Sequence, residues 1–118
     1  MGSCTFSDYT IVKGNARDAY NDLCEDARYE NGHQQGYSGD IQTTTGWRDL
    51  TDVAPRYGTK AFDKWENDCL DNDKYVEKGG DAGCVEITGT AFKKLKERRG
   101  LKGRKGYKAF YFFGWARD

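Results

Sequence analysis

The run from position 107 to position 115, YKAFYFFGW, constrains the fold more than any other stretch of the chain. Its aromatic residues occupy odd and even positions alike, so a strand built from it presents large rings on both faces. Such a strand suits the middle of a sheet, or a sheet covered on both sides, better than a solvated edge. We therefore expect it to be the strongest strand, in a core dominated by aromatic rings.

A helix is the next firm prediction, because apolar residues recur at spacings of three and four from residue 16 to residue 27. Asn15 can cap its first turn, and Asp18 at the third helical position complements the helix dipole. Gly32 is its expected end. The apolar face consists of Ala16, Ala19, Tyr20, Leu23, Cys24 and Ala27.

Shorter strands follow from runs of β-branched and aromatic residues. They are predicted at residues 5–12, 41–45 and 84–88. In the last of these, Val85 and Ile87 share one face. Residues 48–58 hold the only proline and show no period, so we expect a surface connection there.

Two more helices complete the fold prediction. Thr59 can cap one helix, and Thr90 can cap a short basic helix over residues 91–99. The helix after Thr59 is expected to turn Ala61, Phe62, Trp65 and Cys69 inward, and Asp63, Glu66, Asn67 and Asp68 outward. The order β-α-β-α-β-(α)-β predicts a single α+β domain over residues 1–118. It would have an antiparallel or mixed sheet of about four strands, with the two main helices on one face.

Cysteine usage and hydropathy predict neither a metal site nor a membrane segment, and they leave disulfides open as the less favoured alternative to free thiols. Four cysteines, Cys4, Cys24, Cys69 and Cys84, are widely spaced and form no C-x-x-C pair. We expect buried thiols in a reducing cytoplasm, with no metal and no cofactor. No signal peptide or long apolar segment occurs, which predicts a soluble cytoplasmic protein without a membrane partner. It is expected to be a monomer or a small homo-oligomer.

The net charge of zero hides a strong polarisation. Residues 93–108, hereafter the basic segment, hold nine Lys/Arg against the single acid Glu97, a net charge of +8. Residues 1–92 hold nine Lys/Arg and 17 Asp/Glu, a net charge of −8. Within the basic segment, residues 93–106 are a basic, glycine-rich stretch, in which glycines at 100, 103 and 106 are expected to end the short helix and form a loop. The cations are Lys93, Lys94, Lys96, Arg98, Arg99, Lys102, Arg104, Lys105 and Lys108.

Cations on a glycine-broken loop suit the phosphate backbone of RNA or DNA, since each contact releases condensed counterions. Tyr107 and Tyr111 could add base stacking if they are exposed. Two other interpretations stay open. The segment could fold against an acidic protein surface, including the acidic helices of its own domain or of a second copy, or it could serve solubility alone.

A second candidate site is the glycine-rich stretch of residues 29–47, between the first helix and the second predicted strand. It contains the only histidine and a row of threonines, which could line a small polar ligand pocket. The candidate ligand residues are His33, Tyr37, Ser38, Asp40, Thr43 and Thr45. No nucleophile–base pair occurs here or elsewhere, so we predict no catalytic residues and no enzyme.

Three blocks of this sequence resemble small proteins carried by bacteriophages and other mobile elements. The blocks are Y-x-x-G-H…G-Y-S-G-x-I-x-x-T at 29–44, D-K-x-x-x-x-G-x-x-A-G-C at 73–84 and F-F-G-W-A at 112–116. The resemblance supplies no activity and no catalytic residues. Residues 93–105 depart from it, so their function is expected to be particular to this chain.

The resemblance implies a protein that acts stoichiometrically on host machinery. Our first hypothesis is a phage-type, non-enzymatic binding protein that inhibits a host nucleic-acid-based defence system, as an anti-CRISPR or other counter-defence protein. Its partner would be a host defence protein or nucleoprotein complex, contacted by the basic segment and by the loop of residues 32–47. The alternatives are an RNA- or DNA-binding accessory protein and a protein that sequesters a nucleotide signal.

Overall fold

A computed structural model describes residues 3–30, 46–72 and 80–117, and these fold into seven elements. In chain order the elements are β1 (Ser3–Val12), α1 (Ala16–Glu30), β2 (Trp47–Asp49), α2 (Lys60–Asp71), β3 (Ala82–Ile87), α3 (Gly89–Arg98) and β4 (Lys108–Arg117). The α+β class is confirmed, and the order of helices and strands matches the predicted one, although β2 does not coincide with the strand predicted at 41–45.

The aromatic strand β4 lies inside a four-stranded mixed sheet of order β1-β4-β3-β2. β4 runs antiparallel to β1 and to β3, while β2 pairs parallel with β3. Tyr111 stands between Tyr9 on β1 and Val85 on β3. The prediction that the aromatic run forms a central strand is therefore confirmed.

Alternate residues of β4 enter two separate hydrophobic clusters. Phe110 and Phe112 belong to the cluster that α1 covers, together with Ala19, Leu23 and Cys24. The odd-numbered residues of β4 pack with residues of α2 and α3 in the second cluster. Its members include Phe62, Cys69, Val85, Ile87, Leu95, Ala109, Tyr111 and Phe113.

The prediction that the two main helices share one face is therefore wrong. α1 covers one face of the sheet, and α2 and α3 cover the other. The physical reason is the aromatic strand itself, because rings on both of its faces are stabilised only if each face is shielded from water. The shared face of Val85 and Ile87 is confirmed, and it is the face under α2 and α3.

The start of α1 is built as predicted. The backbone N–H of Asp18 donates to Asn15 Oδ1 at 3.2 Å, and the N–H of Asn15 donates to Asp18 Oδ2 at 3.0 Å. Two backbone N–H groups at the helix start are satisfied by this reciprocal pair. A Cβ at Gly14 would lie 1.7 Å from Asp18 Oδ2, so glycine at 14 leaves room for the returning carboxylate.

Residues 48–58 were predicted to be a surface connection, and this is wrong for their first part. Arg48 and Asp49 belong to β2, and the buried Leu50 extends the pairing by donating its N–H to the Cys84 carbonyl at 2.7 Å. The hydroxyl of Thr51 then accepts from the N–H of Glu86 at 3.0 Å. The predicted strand at 41–45 and the expected helix end at Gly32 lie outside the described residues.

Of the N-caps predicted for α2 and α3, only the one for α2 is confirmed. Thr59 caps α2 as predicted, its hydroxyl accepting from the N–H of Phe62 at 3.2 Å. α3 begins at Gly89, two residues earlier than expected, with Thr88 and not Thr90 at the N-cap position. On α2, Ala61 is exposed and Glu66 is half-buried, which reverses the predicted sides for these two residues.

Candidate nucleic-acid interface

All ten residues predicted for the basic surface lie on α3, on the loop that follows it or at the start of β4. Eight of them are exposed, and only Lys96 and Tyr107 are half-buried. The structure therefore brings the ten residues onto one continuous segment of the surface. That surface comprises Lys93, Lys94, Lys96, Arg98, Arg99, Lys102, Arg104, Lys105, Tyr107 and Lys108.

One apolar stripe holds α3 against the sheet. Leu95 is buried in the second cluster, and Ala91 and Phe92 pack against it. Because residues four apart lie on the same side of a helix, Ala91 and Leu95 share the inward side. The helix is thus anchored by few residues, and its basic side chains extend into solvent.

The loop after α3 is a series of hydrogen-bonded turns. Leu101 donates its N–H to the Lys96 carbonyl at 2.8 Å, and Gly100 donates to Glu97 at 3.1 Å. With Gly100 at φ +72°, this pair of bonds is a Schellman ending of the helix. Arg104 donates to Leu101 at 2.9 Å in the next turn. The ammonium of Lys96 also donates to the carbonyl of Arg104, which closes the loop back on the helix.

Gly100→Ala is expected to lower the free energy of unfolding by about 1 kcal/mol, because an L-residue with a Cβ is strained at this positive φ. A Cβ at Gly100 would meet nothing within 4 Å, so no clash adds to the loss. Gly100→Asn is the matched control, since asparagine tolerates the left-handed conformation better. Urea unfolding of both variants checks this expectation, which equal losses would contradict.

The charges of the basic segment are not neutralised within the described part of the chain. Between residues that the structure describes, the only ion pair is Lys102 with Glu97 at 4.0 Å, and both side chains are more than half exposed. An exposed pair of this kind stabilises little. No described acidic residue of α1 or α2 pairs with the segment, so folding against the domain's own helices receives no support from these regions.

Aromatic rings hold three cations in place. The guanidinium of Arg99 lies 5.2 Å from the ring centre of Tyr9, and Lys96 lies 5.2 Å from that of Phe92. Lys13, which directly follows β1, lies 5.3 Å from the centre of the Tyr107 ring. Cations above ring faces are attracted by the ring quadrupole. Tyr107 therefore lies within the basic surface, and Lys13 adds a cation that the sequence did not assign to it.

Base stacking by Tyr111 was expected only if its ring is exposed, and the structure does not meet that condition. Tyr111 is buried, and its hydroxyl donates to Oε2 of Glu66 on α2. The pKa of Tyr111 is raised, first by burial and then by Glu66. The pKa of Glu66 is also raised, mainly by burial and further by Asp63, although the hydrogen bond from Tyr111 opposes the rise. The pair joins α2 to the sheet.

Glu66→Gln is expected to stabilise the protein more at pH 7 than at pH 4. In the wild type, the pKa of Glu66 in the folded state lies above the usual 4.5, so the folded state holds the carboxyl proton of Glu66 more tightly than the unfolded state does. Its stabilising contribution is therefore complete below pH 4.5 and is lost as the pH rises through the raised pKa. Glutamine keeps an acceptor for Tyr111 and has no charge.

The measurement for Glu66→Gln is urea unfolding of wild type and variant across this pH range. The exposed Glu97→Gln is the control for removing one carboxylate. A difference between Glu66→Gln and wild type that does not grow with pH would show that burial of the Glu66 charge is unimportant.

The described cysteines are buried, and no metal-ligand cluster forms among the described residues. Cys24, Cys69 and Cys84 are buried thiols, as predicted, while the side chain of Cys4 lies outside the described part. Burial, with Asp49 and Glu86 nearby, raises the pKa of Cys84 to about 12, so it stays protonated and is a poor nucleophile. Among the described residues, no three His, Cys, Asp or Glu gather as metal ligands would.

One feature beside α3 was not predicted. A cleft of about 390 Å³ lies between α3 and the segment that precedes α2. Its lining includes Tyr9, Arg56, Tyr57, Lys94 and Arg98. The only indication of it in the sequence is the adjacent basic and aromatic pair Arg56 and Tyr57, within a stretch that was predicted to be a surface connection.

The second candidate site lies outside the described residues. Its members are His33, Tyr37, Ser38, Asp40, Thr43 and Thr45. The ligand pocket proposed for them stays a prediction. Within the described ranges, no helix has the length and apolar character needed to cross a membrane.

Comparisons of the chain with protein-family models, curated proteins and solved structures found no match. The geometry and charge of the basic surface are therefore the basis for a functional proposal.

Proposed function

We propose that this protein is a non-enzymatic binding protein whose basic segment grips the phosphate backbone of a nucleic acid. The observation that carries the proposal is the exposure of eight basic-segment cations without acidic partners, apart from the weak Lys102–Glu97 pair, in the described part of the chain. Cations that remain hydrated and unpaired are available to replace the counterions of a polyphosphate.

The structure around these cations favours binding over a purely solubilising role. The loop is fixed by the Schellman ending and by the bond from Lys96 to the Arg104 carbonyl. Ring contacts restrict Arg99 and Lys96 as well. Ordered cations lose less conformational entropy when they contact phosphates, so they bind more tightly than the same charges on a loose tail.

In the biological setting implied by the resemblance to phage proteins, the nucleic acid belongs to a host nucleoprotein of a defence system. The protein would then act in the host cytoplasm as an inhibitor, in an anti-CRISPR or other counter-defence role. The acidic remainder of the chain would repel nucleic acid elsewhere, so contact would be confined to the basic surface.

The proposal is tested by titrating the purified chain into labelled RNA and DNA at low salt and following fluorescence anisotropy. Saturable binding to either polymer is expected. Failure to bind both would contradict the proposal and would reassign the basic surface to an acidic protein partner.

The counter-defence setting needs a separate experiment. Affinity purification from host cells should recover a complex that contains nucleic acid, and nuclease treatment should release the partner from the tagged chain. Recovery that is unaffected by nuclease, although the purified chain binds oligonucleotides, would contradict a nucleic-acid-mediated hold on the effector.

A further inference from the structure

The cleft beside α3 combines cations with aromatic rings. Lys94 and Arg98 line it from α3, one helical turn apart, and Arg56 lines it from the segment before α2. Tyr9 and Tyr57 contribute the rings, and none of the lining residues is acidic. The cleft is therefore a basic pocket with aromatic walls, continuous through α3 with the basic surface.

The Tyr57 ring is held in position by the core. It packs edge-on against Phe62, with ring centres 5.2 Å apart, and it tilts against Tyr111 at the same distance. Tyr57 itself is only half-buried, so part of the ring remains accessible. A ring fixed in this way offers a stacking surface that needs little reorganisation on binding.

Arg99 and Arg98 place positive charge close to both tyrosines. Arg99 lies over the Tyr9 ring at 5.2 Å. Burial raises the pKa of the Tyr57 hydroxyl, with Tyr9 and Glu66 adding to the rise and Arg98 opposing it. The Tyr57 hydroxyl is therefore protonated at neutral pH and can hydrogen-bond a polar ring edge.

We infer that the cleft takes one unpaired base of a single-stranded nucleic acid, with its flanking phosphates on Lys94, Arg98 and Arg56. The volume of about 390 Å³ lies at the small end of the range for small-molecule pockets, which suits one base and not a base pair. Stacking on aromatic side chains is the general means by which proteins hold unpaired bases. The inference rests on the proposed function and adds a preference for single strands.

The experiment uses the full chain with three labelled probes of equal length: an oligo-dT strand, a strand of abasic residues and a duplex. The abasic strand keeps the phosphates and removes every base. Wild type is expected to bind oligo-dT about tenfold more tightly than the abasic strand, because only oligo-dT can stack, and more tightly than the duplex.

Two sets of variants locate the effect. Lys94→Gln with Arg98→Gln removes the cleft cations of α3, and Arg104→Gln with Lys105→Gln removes one lysine and one arginine from the loop instead. The cleft pair is expected to weaken oligo-dT binding several-fold more than the loop pair. Thr90→Leu places a larger side chain without a ring at an exposed position of the cleft lining, and it should lower the affinity for oligo-dT to that for the abasic strand without changing the latter.

The outcomes separate this inference from the proposed function. Equal affinity for the three probes, with equal losses in the two charge pairs, would overturn the base-binding cleft and leave backbone binding intact. No binding of any probe at low salt would overturn both. Urea unfolding of each variant verifies that the fold is kept.

Discussion

Phe112→Ala is expected to lower the free energy of unfolding by about 3–5 kcal/mol. Phe112 is completely buried on the central strand, and its ring packs against Tyr20 of α1 with centres 5.8 Å apart. Truncation leaves a cavity between the sheet and α1, where β1 and β3 on either side of β4 restrict collapse. Because domains of this size are stable by only about 5–15 kcal/mol, this loss would remove a large part of the stability of the fold.

Phe92→Ala is the matched control for this prediction. Phe92 loses the same atoms but is only partly buried, on the outer side of the second cluster. The decrease in the free energy of unfolding is expected to be less than half as large for Phe92→Ala, because Phe92 buries less apolar surface on folding. Urea unfolding measures both, and equal losses would contradict the central role of β4.

Neutralising part of the basic segment is expected to weaken nucleic-acid binding on the order of 100-fold near 0.1 M salt. The variant carries Arg98→Gln, Lys102→Gln, Arg104→Gln and Lys105→Gln, all at exposed positions. On a single strand, each phosphate contact contributes roughly 0.7 to the slope of the logarithm of the association constant against the logarithm of salt concentration, so four lost contacts reduce that slope by about 2.8. Arg99 and Lys96 are retained because they contact Tyr9 and Phe92.

A control variant removes the same charge elsewhere. It also replaces two arginines and two lysines by glutamine at exposed positions, which are Arg17, Arg48, Lys60 and Lys64. Its affinity is expected to fall only a few-fold, through the change in net charge alone. Fluorescence anisotropy compares the two variants, and equal losses would mean that binding depends on overall charge and not on the basic segment.

The elements that sequence predicts best are those with local causes. The Asn15–Asp18 reciprocal cap and the cap of α2 by Thr59 involve residues three apart. The β4 strand is recognisable because rings on both faces restrict it to a covered position. The positive φ of Gly100, Gly103 and Gly106 also follows locally, since glycine adopts this conformation without strain.

The arrangement of helices around the sheet is not local, and there the prediction fails. Periodicity identifies the apolar side of α1, but it does not say which sheet face that side covers. The same limit explains Glu66, whose partner Tyr111 is 45 residues away in sequence. From its position in the helical pattern, the Glu66 carboxylate is expected to be solvated, and only the tertiary fold brings the Tyr111 hydroxyl to it.

The proposed binding surface also has one part that is local in sequence and one part that is not. The basic segment is contiguous in sequence, so its charge could be counted directly. The cleft joins β1, the segment before α2 and α3, and only the tertiary fold brings Tyr9, Tyr57 and Arg98 together. The segment before α2 is positioned by the hydrogen bonds of Leu50 and Thr51 to β3, although the sequence analysis predicted a surface connection there.

The most direct test of the account is the affinity of the wild-type chain for a labelled single strand as a function of salt concentration. If four or five basic-segment cations contact phosphates, the logarithm of the association constant should fall with a slope of about −3 to −3.5 against the logarithm of salt. That slope corresponds to a loss of about 100-fold between roughly 50 and 200 mM salt. A slope near zero, or no binding at the lower concentration, would contradict phosphate recognition by the basic segment.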